Sequence, residues 1–267
     1  MDFLQKKNPH PRDQFITFEE EPHIYTIKGD SDYMSVTTWN HSHFSQFDAD
    51  AIIDKMMKSY RWPQSKYYGQ TKEEIKNGWE ITGKEARDAG TKMHYDIECF
   101  YNNCPNENDS IEYQYFKNFV SDFSHFVPYR TEWMIYDEEL KFAGSIDMLF
   151  KNEDGTLDIY YWKRSKAIVE ENSWESSKTE CISHLPDSNY WHYSLQLNTY
   201  KAILEKNYDV IIKDMYLVCL HPINENKSYQ RIKINDMTKE INDLFDLRRN
   251  NLSASPDSPD SKKLKTI

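Results

Sequence analysis

The stretch at 142–163, FAGSIDMLFKNEDGTLDIYYWK, constrains the fold more than any other part of this 267-residue chain. Two runs rich in aromatic and branched residues flank the polar NEDGT, where Gly155 can supply the positive φ of a tight hairpin. Register then decides which side chains share a face, because strand side chains alternate with a period of two. A two-residue Asp154-Gly155 loop sets Asp147 opposite Trp162. A three-residue loop at 153–155 sets Asp147 opposite Tyr161 and Ser145 opposite Lys163, gathering Asp147, position 161 and Lys163 on one face. An Asp and a Lys on an otherwise apolar face are costly to bury unless function requires them. The plain alternative is a surface hairpin with one cross-strand ion pair.

Around this hairpin the pattern alternates between helices and strands. Short strands are predicted at 23–27 and 34–38, and longer ones at 130–136, 210–220 and 229–234. Helices are predicted at 48–60, 84–102, 111–126, 190–207 and 235–249. That order predicts an α/β domain over 20–250 with a mixed sheet. Residues 1–19 read as a polar, irregular arm, and the Ser/Pro/Asp-rich 251–267 as a disordered tail.

Composition removes several function classes. The seven glycines make no G-x-G-x-x-G, which disfavours a dinucleotide fold. Gly78 to Lys84 has phosphate-loop spacing, but Glu85 stands where a magnesium-binding hydroxyl belongs and no apolar strand precedes it. The four cysteines form no C-x-x-C pair, and Cys219 in MYLVCL reads as a core residue. With no long apolar run and no apolar segment in MDFLQKKNPHPRDQ, the expectation is a soluble intracellular protein without membrane contact, in the cytoplasm, the nucleus or at a viral replication site. A net charge of −11 argues weakly against nucleic acid as partner. Locally the balance reverses: residues 55–92 hold 9 basic and 5 acidic side chains, interleaved with Trp62, Tyr67, Tyr68 and Trp79. That segment is either an ordinary amphipathic surface or one that faces nucleic acid.

A carboxylate on one strand and a lysine on the next suit metal-assisted phosphodiester hydrolysis. Asp147 offers the oxygen ligand that Mg²⁺ or Mn²⁺ prefers, and Lys163 a donor to a scissile phosphate. His94 and Glu98 lie four apart on one helix face, Glu132 precedes the hairpin, and Gln196 and Tyr200 are four apart on a later helix. Taken singly, each suits packing or a local hydrogen bond.

In this order, Gly90-Thr-Lys-Met-His94, Glu132, Gly144-Ser-Ile-Asp147, Tyr161-Trp-Lys163 and Gln196-Leu-Asn-Thr-Tyr200 resemble the RecB-like, exonuclease branch of the PD-(D/E)XK nuclease superfamily, including members from large DNA viruses. That branch reads G-T-x-x-H, Glu, G-x-x-D, D/E-x-K, Q-x-x-x-Y. The resemblance implies a restriction-endonuclease-like core, a central mixed sheet flanked by helices, and a deoxyribonuclease acting on single strands or duplex ends. It implies that His94, Asp147 and the Trp162 carbonyl hold the metal, that Glu98 or Glu132 assists in the outer shell or on DNA, and that Lys163 is catalytic. Gln196 and Tyr200 would hold the strand, and Arg164 and Lys166 would extend the basic surface.

The chain departs from the pattern at one position. Tyr161 stands where the motif has an acid, and a neutral phenol does not replace a carboxylate on Mg²⁺. Asp158 points to the opposite face; some superfamily members carry the acid on a neighbouring helix, where Glu98 stands here. The expectation is weak metal binding and impaired cleavage, or else an inactive relative kept for binding DNA or protein. Only Cys219 follows Tyr200, so no iron–sulfur cluster is expected.

Overall fold

A computed structural model describes residues 1–105 and 107–254. In chain order the elements are α1 (Phe3–Lys7), β1 (Ile16–Glu19), β2 (Ile24–Ile27), β3 (Met34–Ser35), α2 (Val36–Ser42), α3 (Ala49–Met57), α4 (Lys72–Tyr101) and α5 (Ile111–Asp122). They continue with β4 (Val127–Asp137), β5 (Phe142–Lys151), β6 (Leu157–Lys163), α6 (Asn189–Asn207), β7 (Ile212–Cys219), β8 (Gln230–Lys233) and α7 (Thr238–Ala254). No helix among the described residues is long and apolar enough to cross a membrane.

β1 and β2 form a separate antiparallel pair, while the main sheet runs β3-β5-β6-β7-β8 with β4 also paired to β5. It is mixed: β3–β5 and β6–β7 are parallel, and the other pairs antiparallel. β4 covers one edge of β5 along its length, so β3 and β6 share the other edge. β3 takes Phe142 and Ala143, and β6 takes Met148 to Lys151. Between them the edge of β5 at 144–147 has no strand partner among the described residues.

Helices cover both faces, as expected for the restriction-endonuclease-like architecture. On one face Ile146, Ile159 and Leu217 pack against Leu195, Ile203 and Leu204 of α6, with Trp39 and Phe245 at the margin. On the other, Met148, Tyr160, Trp162 and Val218 pack against Met93 and Ile97 of α4 and Phe116 and Phe119 of α5. β6 alternates regularly between the two cores. β5 does not: Phe142 and Ile146 face the first core, yet Met148 and Phe150 face the second. Strict alternation would put all four on one side, so the alternation breaks at Asp147, while the pairing with β4 keeps one register on both sides of it.

Several sequence expectations need correction. The sequence pattern predicts a strand at 34–38, but the helix α2 starts at Val36, because Ser35 Oγ accepts the Thr38 N–H as its cap. α4 starts at Lys72, twelve residues before the predicted 84. A capping box starts it there: Thr71 Oγ1 accepts the Glu74 N–H, and Glu74 accepts the Thr71 N–H at 2.7 Å. Gly78 to Lys84 is therefore helix interior and cradles no phosphate. Thr71→Ala is expected to cost about 1 kcal/mol, lowering the melting temperature by about 2–4 °C. Thermal unfolding checks it, and an unchanged midpoint would refute the cap's role.

The expected irregular arm at 1–19 is structured. Leu4 and Ile16 are buried, and Asp13 accepts from Arg130 Nη1 and Trp133 Nε1 at 2.9 Å each. A buried guanidinium on β4 needs a carboxylate, and this segment brings it. At the other end, 251–254 prolong α7, and the rest of the predicted tail lies outside the described residues.

Candidate metal centre

The hairpin adopts the second of the two registers read from sequence. Met148 pairs with Tyr160 and Lys151 with Leu157, and the Asn152 N–H donates to the Thr156 carbonyl at 2.8 Å. One step further the same register would set Asp147 against Tyr161, but the ladder stops at Met148. There the Trp162 N–H donates instead to Asp147 Oδ2, at 2.9 Å. A side-chain carboxylate thus takes the place of a backbone acceptor, which anchors Asp147 in the fork between β5 and β6.

His94 reaches the fork from α4. Its Nδ1 lies 3.5 Å from Asp147 Oδ2 and 3.6 Å from Glu132 Oε1. Ligand atoms of His94, Glu132 and Asp147 all fall within 4.8 Å of one another. Glu132 sits between the pairs Thr131↔Met148 and Trp133↔Ile146, opposite Asp147, yet its φ is +42°. A left-handed glutamate inside a strand costs about 1–3 kcal/mol and persists only where the surroundings enforce it. Its Oε2 accepts from Ser145 Oγ at 2.9 Å, which fixes the carboxylate's direction.

The electrostatics fit a cation. Asp147 is 6% exposed, and burial pushes its carboxyl up to about 7, against the opposing pull of His94. Burial disfavours the His94 imidazolium, but Asp147 and Glu132 outweigh it and hold its pKa above the usual value. Glu98, one turn along α4, is also pushed up to about 7, by burial and then by Glu132. Two carboxylates crowd the imidazole and Glu98 bears on Glu132, and a divalent cation would relieve that crowding. One imidazole and two carboxylates form a donor set for hard or borderline cations.

The remaining sequence candidates divide around the fork. Tyr161 and Lys163 face α6: the Lys163 ammonium lies 3.8 Å from the centre of the Tyr161 ring and 4.9 Å from that of Tyr193. Asp147 turns to His94 on α4, yet it stays near enough to act on the charge of Lys163 and the phenol of Tyr161. Tyr161 is buried, and its hydroxyl accepts from Gln196 Nε2 at 2.8 Å. The same Nε2 lies 2.9 Å from Thr37 Oγ1 and 3.1 Å from the Tyr200 hydroxyl. Burial holds the Tyr161 phenol well above its usual pKa, so it stays neutral. Gln196 and Tyr200 are buried with their polar ends engaged internally. Arg164 Nε donates to Glu112 at 2.6 Å, Lys166 is exposed, and Trp162 meets the cluster through its N–H.

Sequence reasoning gave Glu132 an outer role, whereas the structure sets it inside the cluster. The signal lay in the β4–β5 register, which makes 132 and 147 cross-strand neighbours. Ser145 fills a free position of the Gly144-Ser-Ile-Asp147 motif, and neither its support of Glu132 nor the bond of Thr37 to Gln196 is read from sequence.

No family model matches the sequence, and no curated protein matches it either. Among solved structures, an alkaline exonuclease from Laribacter hongkongensis is similar at 14% identity, over 86% of this chain and 98% of that one, with a TM-score of 0.35. A protein proposed to be an exonuclease, from Eubacterium rectale, is similar at 10% identity over 83% and 79%, with a TM-score of 0.37. Likeness at this level says nothing of chemistry, which rests on the site. Fold and site together define an α/β protein of restriction-endonuclease-like architecture, whose His–Glu–Asp cluster could coordinate a divalent cation.

Proposed function

We propose that this chain is a divalent-metal-dependent deoxyribonuclease of the RecB-like PD-(D/E)XK kind, working inside the cell on single strands or duplex ends. The convergence of His94, Glu132 and Asp147 within 4.8 Å carries the reading. Glu132, rather than Glu98, supplies the carboxylate that Tyr161 cannot. A Mg²⁺ or Mn²⁺ ion held there supplies Lewis acidity toward the phosphodiester. Asp147 and Glu132 bring the negative charge that holds the ion, and Ser145 and the Trp162 N–H keep both carboxylates aimed. Lys163 rests on two aromatic faces and on no carboxylate among the described residues, so its N–H donors can meet a phosphate oxygen.

A second reading has its own observation. The Gln196 Nε2 donor is spent inside the fold, on the hydroxyls of Tyr161, Tyr200 and Thr37. This arrangement suits an inactive relative that binds DNA or a protein without cutting.

One assay separates the two. Labelled single- and double-stranded DNA is incubated with Mg²⁺ or Mn²⁺ and the natural chain, Tyr161→Asp, or Tyr161→Asp with Lys163→Ala. The expected result is weak metal-dependent cleavage by the natural chain, more by Tyr161→Asp, and its loss on adding Lys163→Ala. Binding without cleavage by any of the three supports the inactive relative. Neither cleavage nor binding would remove both readings.

A further inference from the structure

The α3–α4 connection holds a segment that the candidate metal centre does not use. Residues 55–68, KMMKSYRWPQSKYY, carry four basic side chains, four aromatic ones and no acid, in a chain of net charge −11. Lys55, Lys58, Arg61 and Lys66 are exposed, and none forms an ion pair among the described residues. Nearby Lys72 and Lys76 differ, being neutralised by Asp54 and Asp50 at 2.7 Å each. Tyr60 is 81% exposed and Tyr68 60%.

These rings already sit among cations and one another. Arg61 Nε donates to the Tyr60 hydroxyl at 2.7 Å, Lys66 lies 4.8 Å from the Tyr67 ring, and Trp62 meets Tyr68 edge-on at 6.0 Å. Beside them a cavity of about 270 Å³ opens between Met56, Ser59, Arg61, Trp62, Gln64 and Ser65. The segment is tied to α4, since Trp79 Nε1 donates to the Tyr67 hydroxyl at 2.7 Å. Trp79 precedes His94 by fifteen residues on one continuous helix, a separation of about 22 Å.

We propose that residues 55–68 form a stacking platform for single-stranded nucleic acid. Exposed rings offer faces to unpaired bases, and the unpaired cations follow the backbone phosphates. Duplex DNA, with its bases already stacked, would engage only the cations. Where the strand leads rests on the function proposed above: the helix that ties the platform down runs about 22 Å from Trp79 to His94, the length of six or seven nucleotides at a ~3.4 Å rise.

The test uses the full chain in EDTA, with fluorescein-labelled dT₂₀ and a 20-base-pair duplex, read by fluorescence anisotropy across a salt series. Tyr60→Ala with Tyr68→Ala is expected to weaken dT₂₀ binding at least about tenfold and leave the duplex nearly unchanged. Lys55→Gln, Lys58→Gln and Lys66→Gln together should flatten the log K against log salt slope for dT₂₀ by about 2. Unchanged dT₂₀ affinity in the tyrosine variant, equal losses on both DNAs, or no dT₂₀ binding by the natural chain overturns the platform. So does altered self-association with DNA binding intact, which would assign the patch to a protein contact. Cleavage with Mn²⁺ is scored separately: a platform effect without cleavage leaves the platform standing and removes the nuclease.

Discussion

Asp147→Asn is expected to abolish the response of the protein to Mg²⁺ and Mn²⁺ while making the metal-free protein more stable at pH 8. Both effects have one cause. The Asp147 carboxylate is nearly fully buried, and its pKa is pushed up to about 7 from an ordinary value near 3.8. The folded state therefore holds that proton more tightly than the unfolded chain does. Stability from this group is fully present below the unfolded pKa and is lost as pH rises from about 4 through 7. At 1.36 kcal/mol per pKa unit the loss approaches roughly 4 kcal/mol in the charged form. Asparagine never ionises, and its Oδ1 still accepts the Trp162 N–H that Asp147 takes at 2.9 Å.

The measurement is thermal unfolding at pH 5 and pH 8, with and without 5 mM-scale metal added in excess. The natural chain should gain stability from Mn²⁺ at pH 8, because an ion bound only by the folded state stabilises it by mass action. The variant should show no such gain and should melt roughly 10 °C above the natural metal-free chain at pH 8. A variant that melts lower at pH 8 would show that Asp147 is not charged at a cost, and one that Mn²⁺ stabilises as much as the natural chain would show that Asp147 is not a ligand.

What was legible in the sequence follows from how local each signal is. β5 and β6 were read to their ends because Gly155 marks the turn and both runs pack on two cores. The first twelve residues of α4 were missed because Gly78 and Gly83 look like breakers there. Their cost, about 1 kcal/mol each against alanine, is spread along a thirty-residue helix with a capping box at its head. The α1–β1 segment looked like an arm because its anchor, Asp13 to Arg130, spans more than a hundred residues. The resemblance to the nuclease motifs brought His94 and Asp147 out as a pair, but the place of Glu132 depends on a left-handed φ that no pattern encodes. The global charge is a coarse guide for a related reason. It averages an acidic surface with 55–68, where the basic side chains stand without acids.

Gly144→Ala is expected to destabilise the fold by about 2–3 kcal/mol, although alanine normally suits a strand better than glycine. Gly144 has no left-handed φ, so backbone freedom is not what it provides. The requirement is space. A Cβ there would stand 2.8 Å from Tyr200 Cε1 and 2.9 Å from its hydroxyl, closer than side chains pack. The ring has little room to withdraw: it is 2% exposed, and its hydroxyl lies 3.1 Å from Gln196 Nε2, which also holds Tyr161. Gly144 thus lets α6 settle onto the edge of β5, three residues before Asp147. For a chain of this length the loss corresponds to a melting temperature lower by about 4–12 °C. Tyr200→Leu supplies the control. Alone it leaves a cavity and costs stability, but beside Gly144→Ala it removes the atoms that clash. The two changes should therefore couple by at least about 1 kcal/mol in the compensating direction, measured by denaturant unfolding of the natural chain, both single variants and the double. Strict additivity would place the cost of Gly144→Ala elsewhere than in its contact with Tyr200.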